Sequence, residues 1–225
     1  MQTDPERSNP DRKSEVRIPD HIPIFPLPNV VFFPKTYLPL HIFEPRYRDM
    51  VADAAAEGRC VGMALLKDGW ETEYYGNPPI FEVGCVGRLV NLQRLPDGRY
   101  NILLQGLQRY VIQEQFYDRS YRRAHVALKS GWTSQLEGTV RTELLRVVAE
   151  YLRQSDSGHP ARSLIGVDLG DEMLVNSLSA ELEFSPLEKQ FLLEADTLLQ
   201  QTRRLLDLIQ FKLSERNGGN KLRQH

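Results

Sequence analysis

At 225 residues, with 41% hydrophobic and 26% charged positions, the chain has the length and composition of an ordinary globule with one substantial core or two small ones. A net charge of −2 gives no general field for a polyanionic partner. No apolar run approaches the roughly 20 residues that span a bilayer, and the opening MQTDPERSNPDRKSE has no apolar signal core, so a cytoplasmic protein is expected, with no membrane partner.

Residues 1–19 are polar, charged and proline-punctuated, and are expected to form a disordered tail. From Ile22 to Val51 prolines sit between short apolar runs. Pro23, Pro26, Pro28, Pro34 and Pro39 forbid a helix, while Phe25, Val30 to Phe33 and Leu38 to Phe43 suit short strands. Pro45 fits a first helical position, Tyr47, Met50, Val51, Ala54 and Ala55 follow at helical spacing, and Gly58 supplies a stop. Cys60 to Leu66 reads as a strand. Lys67 to Pro79 reads as a loop that carries Trp70, Tyr74 and Tyr75, aromatics that suit either a lid over the core or an exposed docking surface.

Phe81 to Leu95 and Arg99 to Ile112 flank Pro96-Asp97-Gly98, and aspartate-glycine between two such runs predicts a hairpin. Gly84, Gly87 and Gly106 within them suggest the bulges that closing a small barrel requires. Ala124, Val126 and Leu128 alternate with His125 and Ala127 in a further strand. At Gly131 the period changes. Val140, Leu144, Val147, Val148, Tyr151 and Leu152 lie on one helical face, a shorter helix is expected near Asp171 to Leu182, and Ser185-Pro186-Leu187-Glu188 is a complete helix start. The helix it opens is expected to run to Leu213, roughly 40 Å at 1.5 Å per residue, before a flexible tail over 214–225.

The run from Ile24-Phe25-Pro26-Leu27 through Val31-Phe32-Phe33-Pro34 to Leu38-Pro39-Leu40-His41-Ile42-Phe43-Glu44-Pro45-Arg46-Tyr47 closely resembles the opening of the Lon protease amino-terminal, substrate-binding domain. Gly84 to Glu114 resembles that family's hairpin, and Lys189 to Glu194 its late helix, so the likeness extends over roughly residues 20 to 213. It implies an α+β fold: a PUA-like antiparallel β pseudo-barrel with one helix over 20–130, then a helical bundle with one long helix over 131–213. It also implies a protein of the peptidase S16 family that binds polypeptide.

Lon proteases couple this domain to ATP-driven and serine-lysine peptidase modules, and neither is recognisable here. No glycine-rich loop ends in Gly-Lys-Ser or Gly-Lys-Thr. Ser185 and Lys189 are spaced for one helix face, but Ser185 is better used as an N-cap. No enzyme is expected, and no cofactor. Cys60 and Cys85 read as small buried thiols, and the five histidines show no metal-ligand spacing; His41 reads as a structural histidine. Glu44 with Arg46 and Arg48 reads as an ion pair at the strand-to-helix junction. Arg88, Arg94, Arg99, Arg109, Arg119, Arg122 and Arg123 read as a solvated strand face diluted by Asp97, Glu114 and Asp118, so nucleic acid is not an expected partner.

The expected function is that of a stand-alone, non-catalytic Lon-type recognition module. It holds exposed apolar polypeptide segments in a groove between the β unit and the helices, with Trp70, Tyr74 and Tyr75 as contact residues, in a monomer or weak homodimer. The alternatives are a scaffold for one fixed protein partner, a component of an ATP-dependent peptidase system, and RNA binding.

Overall fold

A computed structural model describes residues 17–73, 76–132, 135–155 and 158–222, with side chains as far as Arg216. Tyr74 and Tyr75 lie outside the described residues, as do the first 16 residues of the expected tail.

Strands β1 (His21–Leu27), β2 (Tyr37–Ile42), β3 (Cys60–Leu65), β4 (Val83–Arg94), β5 (Tyr100–Phe116) and β6 (Arg123–Leu128) form one six-stranded sheet in the order β2-β5-β4-β3-β1-β6. The β1–β3 pairing is parallel and the others are antiparallel. A further β5–β6 pairing joins the last strand to the second, so β5, β4, β3, β1 and β6 close on themselves.

The length of β5 makes this closure work. Tyr100 to Gln105 pairs with β2 on one side, and Tyr110 to Phe116 pairs with β6. The change of partner falls at Gly106, whose carbonyl accepts from Lys35 and whose N–H donates to Thr36. A Cβ at Gly106 would stand 2.1 Å from the Phe33 carbonyl oxygen, so only glycine lets the two backbones meet there. Register shifts between Val86 and Gly87 and between Leu89 and Asn91 bend β4 alongside.

The sequence CVGMAL of β3 is buried along its whole length, as a strand covered on both faces requires. One face packs Cys60 and Ala64 with Ile22, Ile24, Tyr110 and Val126 inside the closed sheet. The other packs Val61 and Met63 against Tyr47, Met50, Val51 and Ala54 of α1 (Pro45–Ala56). Pro45 stands at the start of α1, and Gly58 follows it with a φ of 91°. Cys60 and Cys85 are both buried and unbridged. Gly98 takes a φ of 83° in the β4–β5 hairpin, as aspartate-glycine predicts.

Among the described residues the other α-helices come after the strands: α2 (Gly138–Arg153), α3 (Asp171–Glu181), α4 (Pro186–Leu193) and α5 (Leu198–Leu222). Leu144, Val147, Val148, Tyr151 and Leu152 of α2 are buried, the face that the spacing predicted. Ser185 caps α4 in a reciprocal box with Glu188, so it forms no pair with Lys189, which donates instead to the Ala180 carbonyl.

Three expectations need correction. Val30 to Phe33 is not strand: it lies in the β1–β2 connection, where Phe32 is buried under α1 and Phe33 in the helical core. The single helix from Pro186 to Leu213 is two, because Thr197 starts a new one; its hydroxyl accepts from the Gln200 N–H while the Gln200 side chain accepts from Asp196 N–H. That helix also passes Leu213 and runs to Leu222, the last described residue, so 214–222 of the expected flexible tail are helical.

Candidate functional site

A cleft of about 170 Å³ opens in the β unit where three connections meet. The first turn of α1 contributes Arg46 and Tyr47. The β5–β6 connection contributes Tyr117 and Arg119 to Arg122, and Gly76, Asn77 and Pro78 close the side formed by the long loop after β3.

The centre of the cleft is Arg122, 6% exposed. Its Nη2 donates to the Pro78 carbonyl at 2.7 Å, whereas Nε and Nη1 are buried without a hydrogen-bond partner. No carboxylate among the described residues forms an ion pair with it. Burial pulls this guanidinium below its ordinary range, and the nearby Arg46 charge adds to the effect; the group nonetheless stays charged at physiological pH. Its position follows from strand alternation: Arg122 shares a face with Ala124 and Val126, which point into the closed sheet.

The surrounding cations are matched. Arg46 pairs with Glu44 at 3.0 Å, the junction pair expected from the sequence, and lies over the Tyr47 ring. Arg119 meets Asp53 at 3.1 Å, and the Tyr121 hydroxyl donates to the same carboxylate at 2.7 Å. Burial and then the bond to Asp53 push the Tyr121 phenol up, so it remains a donor. Ser120 donates to Asp49, and the Arg122 guanidinium carbon lies 5.5 Å from the Tyr117 ring centroid. This is a polar, cationic hollow with aromatic walls. It suits binding an anion, and the Ser120 hydroxyl on its rim has the Asp49 carboxylate as its acceptor.

The remaining arginines do not form one solvated face. Arg109 is buried and donates to the Leu193 and Ala195 carbonyls. Arg99 and Arg123 are engaged by Asp97 and Asp118. His41 is hydrogen-bonded to Asn101 and Arg99, and no group of three or more His, Cys, Asp or Glu among the described residues could hold a metal ion.

The model of the ATP-dependent protease La (LON) substrate-binding domain matches residues 21–210. The chain belongs to the LON substrate-binding domain family. It is 26% identical over 208 residues to the Lon protease of Cytophaga hutchinsonii, covering 89% of this chain and 26% of that one. It is 30% identical over 185 residues to the Lon protease of Desulfovibrio desulfuricans, covering 80% and 21%. The chain thus spans about a quarter of the length of these relatives. In fold it is similar to the crystal structure of a Lon N-terminal domain protein from Xanthomonas campestris (TM-score 0.61, 24% identity, 84% of this chain and 96% of that one). The N-terminal domain of a Mycobacterium avium complex Lon protease gives a TM-score of 0.64 at 15% identity, over 84% and 98%.

Within this LON-domain chain, the loop singled out for its aromatics borders the cleft through Gly76 to Pro78. Trp70 begins a short 3-10 turn over Trp70–Glu73 and packs, half-buried, against the interior of the closed sheet. Where a groove was expected between β unit and helices, Arg109, Phe33 and Gln190 fill the junction, Gln190 donating to the Val83 carbonyl at 3.0 Å.

Proposed function

We propose that this chain is a non-catalytic substrate-recognition module that binds exposed apolar segments of other polypeptides, in the service of proteolysis or protein quality control. The observation that carries this reading is the match to the LON substrate-binding domain over 21–210. Two physical features support it. The cleft presents binding groups, with Arg122 at its wall, and the loop that closes one side of it bears Trp70. Apolar contacts along that loop supply affinity, and the polar hollow beside it sets orientation.

In this reading the closed sheet is a PUA-like pseudo-barrel over 20–130 and the helices form a bundle subdomain over 131–213. Trp70 is a contact residue, as are Tyr74 and Tyr75. The module works in the cytoplasm; the alternatives are a scaffold for one fixed protein partner and a component of an ATP-dependent peptidase system.

The test is fluorescence anisotropy of the purified chain with a labelled unfolded polypeptide and with an RNA of equal length, at low and high salt. Salt-tolerant polypeptide binding that drops in the folded W70A/Y74A/Y75A variant is the expected result. Binding to neither probe, with one stoichiometric protein recovered by affinity capture, would replace recognition by a fixed-partner scaffold.

A further inference from the structure

A guanidinium removed from water and left without a counter-charge is costly. Arg122 is in that position. One N–H edge of the group is spent on Pro78, which fixes the guanidinium against the loop, and the remaining nitrogens have no protein acceptor. A side chain needed only to brace the loop at Pro78 could do so with a neutral donor. The charge is therefore explained by something that enters the cleft.

We propose that the Arg122 cleft is a carboxylate-binding subsite. It takes one carboxylate of a bound polypeptide, either the free carboxyl terminus or an aspartate or glutamate side chain. The proposal rests on polypeptide recognition as the function of the module and adds which chemical group fixes the polypeptide in place.

Charge bookkeeping selects a carboxylate over a phosphate. Arg46 and Arg119 line the same cleft, but Glu44 and Asp53 each cancel one of them. One positive charge, that of Arg122, is left over. A single carboxylate neutralises it, whereas a phosphate dianion would bring a second buried negative charge with no partner. Planar guanidinium against planar carboxylate is also the pairing whose geometry gives the most directional hydrogen bonds.

The shape agrees with the charge. About 170 Å³ accommodates a carboxylate with the few carbons attached to it. Pro26, Leu66, Pro78 and the rings of Tyr47 and Tyr117 supply apolar walls for those carbons. The first turn of α1 adds positive potential nearby. Because Gly76 to Pro78 belong to the loop that carries Trp70, a carboxylate held here would place the preceding or flanking residues along that loop.

The experiment compares four versions of one labelled peptide bound to the full chain: free carboxyl terminus, amidated terminus, amidated with an internal glutamate, and amidated with glutamine in its place. Tenfold or tighter binding of the free-acid peptide over the amide identifies the terminus as the source. The same preference for glutamate over glutamine identifies a side chain. In R122Q, checked for folding by circular dichroism, the preference for carboxylate over amide disappears. R122K keeps the charge but loses the planar fork, and retains only part of the preference.

Should R122Q fail to fold, propionate titrated into the wild-type chain decides. It competes with the carboxylate peptide and not with the amide, and it shifts the Nε–H resonance of Arg122. Equal binding of carboxylate and amide versions by the wild-type chain would overturn the subsite and leave polypeptide recognition standing. If no peptide binds in any form, the recognition reading has failed. The propionate-induced shift then upholds the subsite if present and removes it if absent.

Discussion

The Arg109 guanidinium lies 3.9 Å from the centroid of the Trp132 ring while donating to the carbonyls of Leu193 and Ala195. One side chain of β5 thus holds the end of α4 and the start of the turn into α5, and Trp132 shields it, its own indole N–H donating to the Asp196 carbonyl at 3.1 Å.

This arrangement predicts that R109M costs roughly 2–4 kcal/mol, since buried carbonyls each lose a charge-assisted bond worth about 1–3 kcal/mol. At about 2–4 °C per kcal/mol for a chain of this size, the melting temperature falls by about 5–15 °C. W132A should cost less, about 1–2 kcal/mol, because it removes a cation–π contact and one bond but leaves the carbonyls satisfied. Equal losses in urea titration for the two variants would refute this division of labour.

Close approach of backbones in the closed sheet makes a second prediction. The Tyr110 hydroxyl donates to the Met63 carbonyl at 2.9 Å across Gly84, and a Cβ there would lie 2.3 Å from that carbonyl oxygen. G84A should therefore cost at least ~3 kcal/mol, the upper end for overpacking, since the obstructing atom is backbone. Y110F should cost about 1–2 kcal/mol for the unsatisfied carbonyl. Combining the two should not restore stability, because removing the hydroxyl leaves the backbone clash in place. Rescue of G84A by Y110F would show that the Tyr110 hydroxyl, not the β3 backbone, is the obstacle.

Much of this fold was legible because its signals are local. Pro45 with Gly58, Asp97 with Gly98 and Ser185 with Glu188 each act within a few residues, and the structure uses all three pairs of signals. Thr197-Leu198-Leu199-Gln200 carries the same kind of start signal and was overlooked inside an apolar period that runs through it. Phe32 and Phe33 were read as strand because β-branched and aromatic content does not distinguish a strand from a buried connection; tertiary packing on two different cores decided it. The role of Arg122 could have been found from alternation, since Arg122, Ala124 and Val126 share a face that is apolar at its other two positions. That of Arg109 could not be localised, because the groups it serves are more than 80 residues away.

Buried acids set an alkaline limit on stability. Burial pushes the Cys85 thiol and the Tyr110 phenol well up, and the Cys60 thiol up as well. The unfolded chain releases these protons near about 8.5 for a thiol and about 10 for a phenol, whereas the folded chain keeps them. The stabilisation is thus complete below pH 8 and declines above it, as the unfolded state comes to bind fewer protons than the folded one. Urea midpoints should fall from pH 8 to 10. In C85A the decline between pH 8 and 9.5 should be shallower, a comparison that cancels the opposite contribution of Lys189, whose amine burial pulls down. Neither thiol should react with a disulfide reagent in native buffer at pH 8; prompt modification of either would contradict the buried placement.

The α4 cap gives an acid-side prediction of opposite sign. Ser185 N–H donates to Glu188 at 2.7 Å, Glu188 N–H donates back to Ser185 at 3.2 Å, and Lys212 of α5 reaches the same carboxylate at 3.1 Å. Burial pushes the Glu188 carboxyl up, but the Ser185 bonds and Lys212 outweigh it and leave it below the ordinary carboxylate value. Its contribution is therefore present above about pH 4.3 and lost as pH falls through the lower folded value. E188Q and S185A should each cost about 1 kcal/mol at pH 7. The gap between wild type and E188Q should narrow on acidification towards pH 3, while the S185A gap, which removes a neutral hydroxyl acceptor, should narrow less. A gap for E188Q that stays constant from pH 7 to 3 would mean that the carboxylate's charge adds nothing to the cap.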